Sequence, residues 1–363
     1  MHFTKVKLKN FRNYDEITVE FHPRVNLIIG KNAQGKTNLI ESLSVMSLGK
    51  SFRTNKDNEM IGIGKDFCKV YTESILGGKP QSLEIQYGKS GKEIKIDGFK
   101  ANKTSELLER AYVVTFAPED LKIVKEEPEK RRRFMDREIC QIRPVYYHNL
   151  GKYKKILNQR NTLLKKEGID EKELEVWDIA LAQCGSRIIL ERAAFLEKLK
   201  VYSKKLHSKI TNGKENLELF YESDIPLKDN VQEQTEVFLE ELKKSFKKDI
   251  FKGNTGAGPH KDDIRIDVDN KDLRHYGSQG QQRTAALSLK LAELDLIKED
   301  KGEDAVLLLD DVLSELDVER QKFLINSLSS VQLFITATEI GDYVRESLPE
   351  GRILTIEEGT IIS

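Results

Sequence analysis

The chain has 363 residues, enough for two or three domains and a substantial core. Lysine plus arginine and aspartate plus glutamate both number 60, so the net charge is zero and any nucleic acid would have to meet a local basic patch on a neutral molecule. Cys68, Cys140 and Cys184 stand far apart with no Cys-x-x-Cys pair, no apolar run approaches membrane-spanning length, and the first residues enter a strand directly; the expectation is a soluble cytoplasmic protein with reduced structural thiols and no signal peptide.

The chain opens strand-rich. Lys5-Val6-Lys7-Leu8 and Ile17-Thr18-Val19-Glu20-Phe21 alternate apolar and polar residues and bracket Phe11-Arg12-Asn13-Tyr14. The apolar strand Val25–Ile29 then runs into Gly30-Lys31-Asn32-Ala33-Gln34-Gly35-Lys36-Thr37, followed by a helix carrying Leu39, Ile40, Leu43 and Met46. This is the context of a G-x-x-x-x-G-K-[ST] phosphate loop. Gly30 and Gly35 permit the tight turn that aims backbone N–H groups at phosphate oxygens, and the helix adds its positive end. Lys36 supplies a point charge to the outer phosphates, and the Thr37 hydroxyl is a ligand for Mg²⁺. The chain therefore reads as a nucleoside-triphosphate binder. Short strands are expected around 69–75, 82–87, 93–96 and 112–116, separated by turns.

From about Glu129 to Lys248 the pattern is largely helical and rich in Lys and Glu. Tyr146, Leu150, Tyr153, Leu157 and Leu164 share one seam, and Trp177, Leu181, Cys184, Ile188 and Phe195 another, after a break at Gly168-Ile169-Asp170. Asp170 with Glu173 reads as a helix start. Arg160 and Glu191 interrupt the seams, so the expectation is a short antiparallel helical hairpin rather than a long coiled coil. From about Gly253 strand–helix alternation returns, with strands at 264–268, 305–309 and 331–336. The fold expected is α/β: a P-loop head formed by residues 1–128 and 253–363, interrupted by a mostly helical arm over 129–252.

Ala305–Leu309 ends in Asp310-Asp311, where the first carboxylate can hold the Mg²⁺ that touches Thr37 and the second can orient or deprotonate water. Tyr276-Gly277-Ser278-Gln279-Gly280-Gln281-Gln282-Arg283 opens a helix with Ser278 at the N-cap, a second anion site. With Ser314-Glu315-Leu316-Asp317 behind the second strand motif, this set resembles an ABC-type ATPase head, in which the signature helix completes the nucleotide site of a second subunit. Two anion-binding helix ends and one phosphate loop per chain are best reconciled by a dimer.

Within that superfamily the chain resembles the RecF family of bacterial DNA repair proteins over its whole length, through Asn10–Tyr14, Phe116–Leu121, Arg131–Asp136, Gly258–Asp263 and Leu309–Asp317. The resemblance implies that Arg12 and Asn13 lie near the nucleotide base, that Asn32 to Thr37 wrap the phosphates and Asp310 binds Mg²⁺. It further implies that Ser278 and Gly280 meet the γ-phosphate from a partner subunit, that Gln281 belongs to the same nucleotide site, and that Asp317 lines the dimer seam. It implies an ATP-dependent homodimer on single-stranded, gapped or junction DNA, a weak DNA-stimulated ATPase acting in recombinational repair, replication and the SOS response with mediator proteins and a recombinase. Asp311 stands where most ABC ATPases carry glutamate, and Thr336-Ala337-Thr338 lacks the usual switch histidine; both predict slow hydrolysis. Two other readings share the nucleotide motifs: the cytosolic ATPase subunit of an ABC transporter, and an SMC-like chromosome protein. The inserted arm of roughly a hundred residues disfavours the first, and the lack of room for a long arm or a cysteine hook disfavours the second.

Other features stay open at this level. Arg131–Arg133 with Lys130 and Arg137 fit DNA phosphates or a solvated helix face paired with Glu126, Glu127 and Glu129. His260 beside Asp262 and Asp263 fits a turn-capping network better than a zinc site.

Overall fold

The computed structural model describes residues 1–89, 91–166, 168, 171–327, 331–339 and 350–362. Residues 1–122 with 283–363 pack as one compact unit, and residues 123–282 as another. The first unit begins with β1 (His2–Phe11), β2 (Tyr14–Glu20), β3 (Val25–Ile29), α1 (Lys36–Leu48), β4 (Phe67–Leu76), β5 (Lys79–Gly88), β6 (Gly91–Ile96), β7 (Phe99–Lys100) and β8 (Val113–Phe116). The second unit holds α2 (Pro128–Ile142), α3 (Pro144–Leu163), α4 (Glu171–Ile210), β9 (Leu217–Glu222), α5 (Val231–Lys252), β10 (Asp263–Val268), β11 (Lys271–Asp272) and α6 (Leu273–Tyr276). Helix α7 (Gln279–Lys301) returns the chain to the first unit, which ends with β12 (Val306–Asp310), α8 (Val318–Ser327), β13 (Leu333–Ala337), β14 (Gly351–Glu357) and β15 (Thr360–Ile361).

Among the described residues the first unit contains two six-stranded sheets. One is antiparallel in the order β2-β1-β4-β5-β6-β7; the other, β15-β14-β3-β13-β12-β8, is parallel from β14 to β8. Every residue of β12 and β13 is buried, the condition that gives parallel strands their continuous apolar runs. Leu39, Ile40, Leu43 and Met46 of α1 share one core with Val6 and Leu8 of β1 and Val306 and Leu308 of β12. Because α1 is buried round its circumference, its polar residues are satisfied locally: Ser42 donates to Leu39 O, Ser47 to Ser44 O, and Ser44 pairs with Thr115. The buried Gln332 amide accepts from Phe3 N at 2.7 Å and donates to Phe3 O at 2.8 Å and His22 O at 2.9 Å, tying β1 to the start of β13.

In the second unit α3 and α4 run antiparallel, because Tyr146 bonds Arg192 while Arg160, later in α3, bonds Asp178, earlier in α4. The arm is longer on one side than the sequence pattern suggests: α4 spans 40 residues, roughly 60 Å, against 20 residues in α3. Arg160 does not break the seam at solvent. It is fully buried, donating to Asp178 at 2.5 Å, Asp249 at 2.8 Å and Thr255 at 2.9 Å. The helix start expected at Asp170 falls outside the described residues.

The strand at 264–268 belongs to this second unit rather than to the nucleotide-binding sheet. β10 pairs antiparallel with β9 and β11 in a separate three-stranded sheet, and the chain rejoins the first unit at 283 rather than near 253. Ile264, Ile266 and Val268 alternate with less apolar neighbours, the signature of a sheet covered on one face; the parallel strands of the head lack that alternation. β9 and β14 have no counterpart among the expected strands.

Candidate nucleotide site and signature helix

The phosphate loop is shaped by its neighbours before any ligand is considered. Gly35 has φ of 121°, and a Cβ there would lie 2.9 Å from both Asn13 Nδ2 and Tyr14 OH. Those side chains grip the loop: Asn13 Nδ2 donates to Gln34 O at 3.0 Å and Tyr14 OH to Gly35 O at 3.0 Å. The Glu358 and Gly359 amides hold Gln34 from the other side, and a Cβ on Gly30 would strike Ile356 O at 2.4 Å. Ala33 is held in the left-handed region at φ 65°, a strained state characteristic of a ligand-binding loop. No side chain caps α1, so the amides of its first turn remain as donors for an anion. The Lys36 ammonium, buried, donates to Gly30 O at 2.7 Å and Lys31 O at 3.2 Å; of its three N–H groups one remains to meet a phosphate oxygen.

β12 ends beside this loop. Thr37 Oγ1 donates to Asp310 Oδ1 at 2.9 Å, and the buried Thr336 hydroxyl donates to the same oxygen at 2.9 Å. Asp311 N donates to Thr336 Oγ1 at 2.8 Å, which sets Asp311 in the left-handed region at φ 54°. Burial pushes the Asp310 carboxyl above its ordinary range, opposed by the two threonine hydroxyls. One hydroxyl and one carboxylate are hard oxygen donors that suit Mg²⁺, and a cation there would relieve the cost of burying Asp310. Asp310→Asn should therefore leave the ligand-free protein as stable as the parent or raise its thermal midpoint by a few degrees, by about 1 kcal/mol, while abolishing ATP turnover. Differential scanning calorimetry beside a phosphate-release assay checks both halves.

Two residues near the loop were not legible in the sequence. Glu41, fully buried on α1, accepts from Arg12 Nη2 at 2.6 Å and Nε at 2.9 Å, from Arg53 at 3.3 Å and from Ser51. Arg53 also donates to Asn38 Oδ1 at 2.8 Å, and Asn38 donates to Asn13 at 2.7 Å. Arg12 is thus held by Glu41, and Asn13 by Gln34 and Asn38, next to the loop. A glutamate one turn after Gly-Lys-Thr was the available signal, but only the fold brings Arg12 and Arg53 to it. Of the two threonines at the end of β13, Thr336 within the strand is spent on Asp310, whereas Thr338 just beyond it is exposed.

Ser278, Gly280 and Gln281 lie in the second unit and form a local motif. Gln281 N donates to Ser278 Oγ at 3.2 Å and Ser278 N to Gln281 Oε1 at 3.1 Å, a reciprocal cap at the start of α7 that leaves Ser278 exposed. Asp317, in the first unit, caps α8 through Arg320 N at 3.0 Å and pairs with the Arg320 guanidinium. Elsewhere in the second unit, Arg131 is buried and bidentate to Asp263, at 2.6 and 2.9 Å, and Arg132 donates to Asp262 O at 2.8 Å. These arginines hold the fold together. His260 bonds Tyr153 OH at 2.7 Å and Thr255 O at 3.0 Å, and among the described residues no group of three His, Cys, Asp or Glu side chains is arranged to hold a metal.

Comparison with known proteins identifies the family. The sequence matches the AAA ATPase domain family over residues 1–333. It is 46% identical over 361 residues to the DNA replication and repair protein RecF of Alkaliphilus oremlandii, covering 98% of this chain and 99% of that one. The chain belongs to the RecF family. The family's member from Clostridium acetobutylicum is 44% identical over 365 residues, 99% of each chain. A solved structure described as the recombination mediator protein RecF with ATP in the RecFOR pathway superposes with a TM-score of 0.91 at 39% identity, covering 99% of this chain and 97% of that one. An SMC head domain from Pyrococcus furiosus, at 15% identity and a TM-score of 0.55 over 99% of this chain and 95% of that one, shares the fold alone. The family thus carries an ABC-type ATPase head with a helical insertion. Among the described residues no helix is long and apolar enough to cross a membrane.

Proposed function

We propose that this chain is an ATP-dependent DNA-binding protein of recombinational repair and replication, in which ATP joins two heads into a dimer on single-stranded, gapped or junction DNA. The observation that carries the reading is the pairing, on one chain, of a complete phosphate loop with an exposed, serine-capped helix that has anion-binding character of its own. Lys36 and the loop amides would bind the phosphates, with Arg12 and Asn13 toward the base. Thr37 and Asp310 would hold Mg²⁺, which supplies charge neutralisation at the phosphate oxygens. Asp311 would orient the attacking water, one methylene short of glutamate, so hydrolysis is slow and serves to release the dimer. Ser278 and Gly280 would contact the γ-phosphate bound to the partner subunit, with Gln281 in the same site, and Asp317 would line the seam. The description of relatives as replication and repair proteins and as a mediator in the RecFOR pathway supports placing mediator proteins and a recombinase among the partners, with support of the SOS response. A protein that works on bacterial DNA would act in the cytoplasm.

The test is fluorescence anisotropy on gapped and duplex DNA, without nucleotide and with ATP, with light scattering in parallel. ATP is expected to raise DNA affinity and apparent mass together. Ser278→Arg, which places a long side chain at the anion-binding helix start, should bind ATP as the parent does yet lose dimerisation at least about tenfold. DNA binding indifferent to ATP, or a protein that stays monomeric, would refute the reading.

A further inference from the structure

We infer that Glu215 is a positioning residue for the signature motif, holding Gln281 and through it Ser278 against the C-terminal end of α4. The inference rests on the reading of Ser278 as a contact to the partner's nucleotide. The geometry begins with the exit from α4: Thr211 N bonds His207 O at 2.9 Å and Gly213 N bonds Ser208 O at 2.7 Å, with Asn212 and Gly213 both in the left-handed region. This turn reverses the chain into Glu215 and β9. The mutual bonds of Asn216 and Asp269, each 3.0 Å, then lock that entry to the far end of β10, from which β11, α6 and the signature follow. Glu215 is thereby brought beside a motif 63 or more residues later in the chain.

Each carboxylate oxygen has its own partner. Glu215 Oε1 accepts from Gln281 Nε2 at 3.1 Å, and Oε2 lies 3.2 Å from Nε2 of His207, which is fully buried on the last turn of α4. Gln281 has already committed its Oε1 to Ser278 N and its backbone N–H to Ser278 Oγ. The side-chain amide therefore has one orientation in which its own two bonds, from Ser278 N and to Glu215, form together, and Glu215 selects it by taking the NH₂ end. Without that acceptor the side-chain amide is free to turn, its bond to Ser278 N weakens, and the reciprocal cap that places the serine loosens. The relay runs from a 40-residue helix to the serine, so the signature is anchored on the base of the arm.

Four proteins decide it: the parent, Glu215→Ala, Glu215→Gln and Glu218→Ala. Glu218 pairs with Lys204 on the same surface and has no bond to Gln281, so it controls for local charge. The readouts are binding of a fluorescent ATP analogue at protein concentrations that keep the chain monomeric, and ATP-dependent dimerisation by light scattering. Glu215→Ala is expected to bind nucleotide within about twofold of the parent and to dimerise about tenfold more weakly. Glu215→Gln, which keeps an oxygen acceptor, should recover most of the loss, and Glu218→Ala should behave as the parent. Parent-like dimerisation of Glu215→Ala, an equal loss in Glu218→Ala, or a parallel loss of monomer nucleotide binding would each overturn the assignment. If instead the parent itself fails to dimerise with ATP, the reading of Ser278 falls first and takes this one with it.

Discussion

Lys36→Ala is expected to remove nucleotide binding, and with it every ATP-dependent property of the protein. The ammonium sits buried against two loop carbonyls, whereas the loop's other lysine, Lys31, is exposed. Hydrogen bonds to charged groups are worth about 1.5–3 kcal/mol, and loss of the upper part of that range weakens ATP binding by roughly 30- to 150-fold. Isothermal titration with ATP measures the loss directly. The two carbonyls would also lose their donor, so a modest drop in thermal stability, about 1 kcal/mol, should accompany it. Retention of parent-like ATP affinity would mean that the loop amides alone hold the phosphates.

Arg192→Ala should produce the largest stability change in the second unit. Its guanidinium donates to Asp262 at 2.9 Å, Pro259 O at 2.6 Å, Asp136 at 2.8 Å and Tyr146 OH at 3.1 Å, and Asp262 is fully buried. Removing the cation strands a buried carboxylate, which costs about 3–5 kcal/mol. Burial already pushes the Asp262 carboxyl upward, with Arg192 the leading influence opposing it. For an acid whose folded pKa lies above its unfolded value, the associated stability is present below the unfolded pKa and lost as pH rises through the folded one. The deficit of the variant should therefore be larger at about pH 8 than at about pH 5. Trp177, the chain's single tryptophan, packs beside Leu163, Leu164 and Leu174 in this unit, so its fluorescence during urea unfolding reports the second unit. Arg192→Lys should recover only part of the loss, because one ammonium does not span the donors' positions that a guanidinium does.

The same arginines show where reading the chain alone stops. Arg131, Arg160 and Arg192 lie on helices among many lysines and glutamates; only Arg160 carries a local signal, its place on an apolar seam, and for none does the local sequence name the partner. Their partners Asp263, Asp249 and Asp262 come from 89 to 132 residues away, or from 70 for Arg192. The polar run Gly258–Asp263 reads as site chemistry or a turn, and it supplies the acceptors of two of these pairs, Asp262 and Asp263. Glu41 is a similar case: its position on α1 is evident, but its two arginine partners depend on how β1 and the segment after α1 return to it. The strand at 264–268 shows the limit for topology. Its alternation identified a strand correctly, yet periodicity states only that one face is covered and not which neighbour covers it.

What the sequence by itself determined is the chemistry that is local. The phosphate loop, its strand and its helix are contiguous. The Asp310-Asp311 end of a buried strand and the Ser278 cap are each complete within a few residues, because backbone conformation and hydrogen-bonding reach act over that distance. The long-range unions came only with the tertiary structure: Thr37 with Asp310, Thr336 with both aspartates, Glu41 with Arg12 and Arg53, Glu215 with Gln281, and the buried arginines with their carboxylates. Desolvation is the physical reason. A charged side chain reads alike in sequence whether it faces water or carboxylate, and only the packing that removes its water obliges it to find a partner.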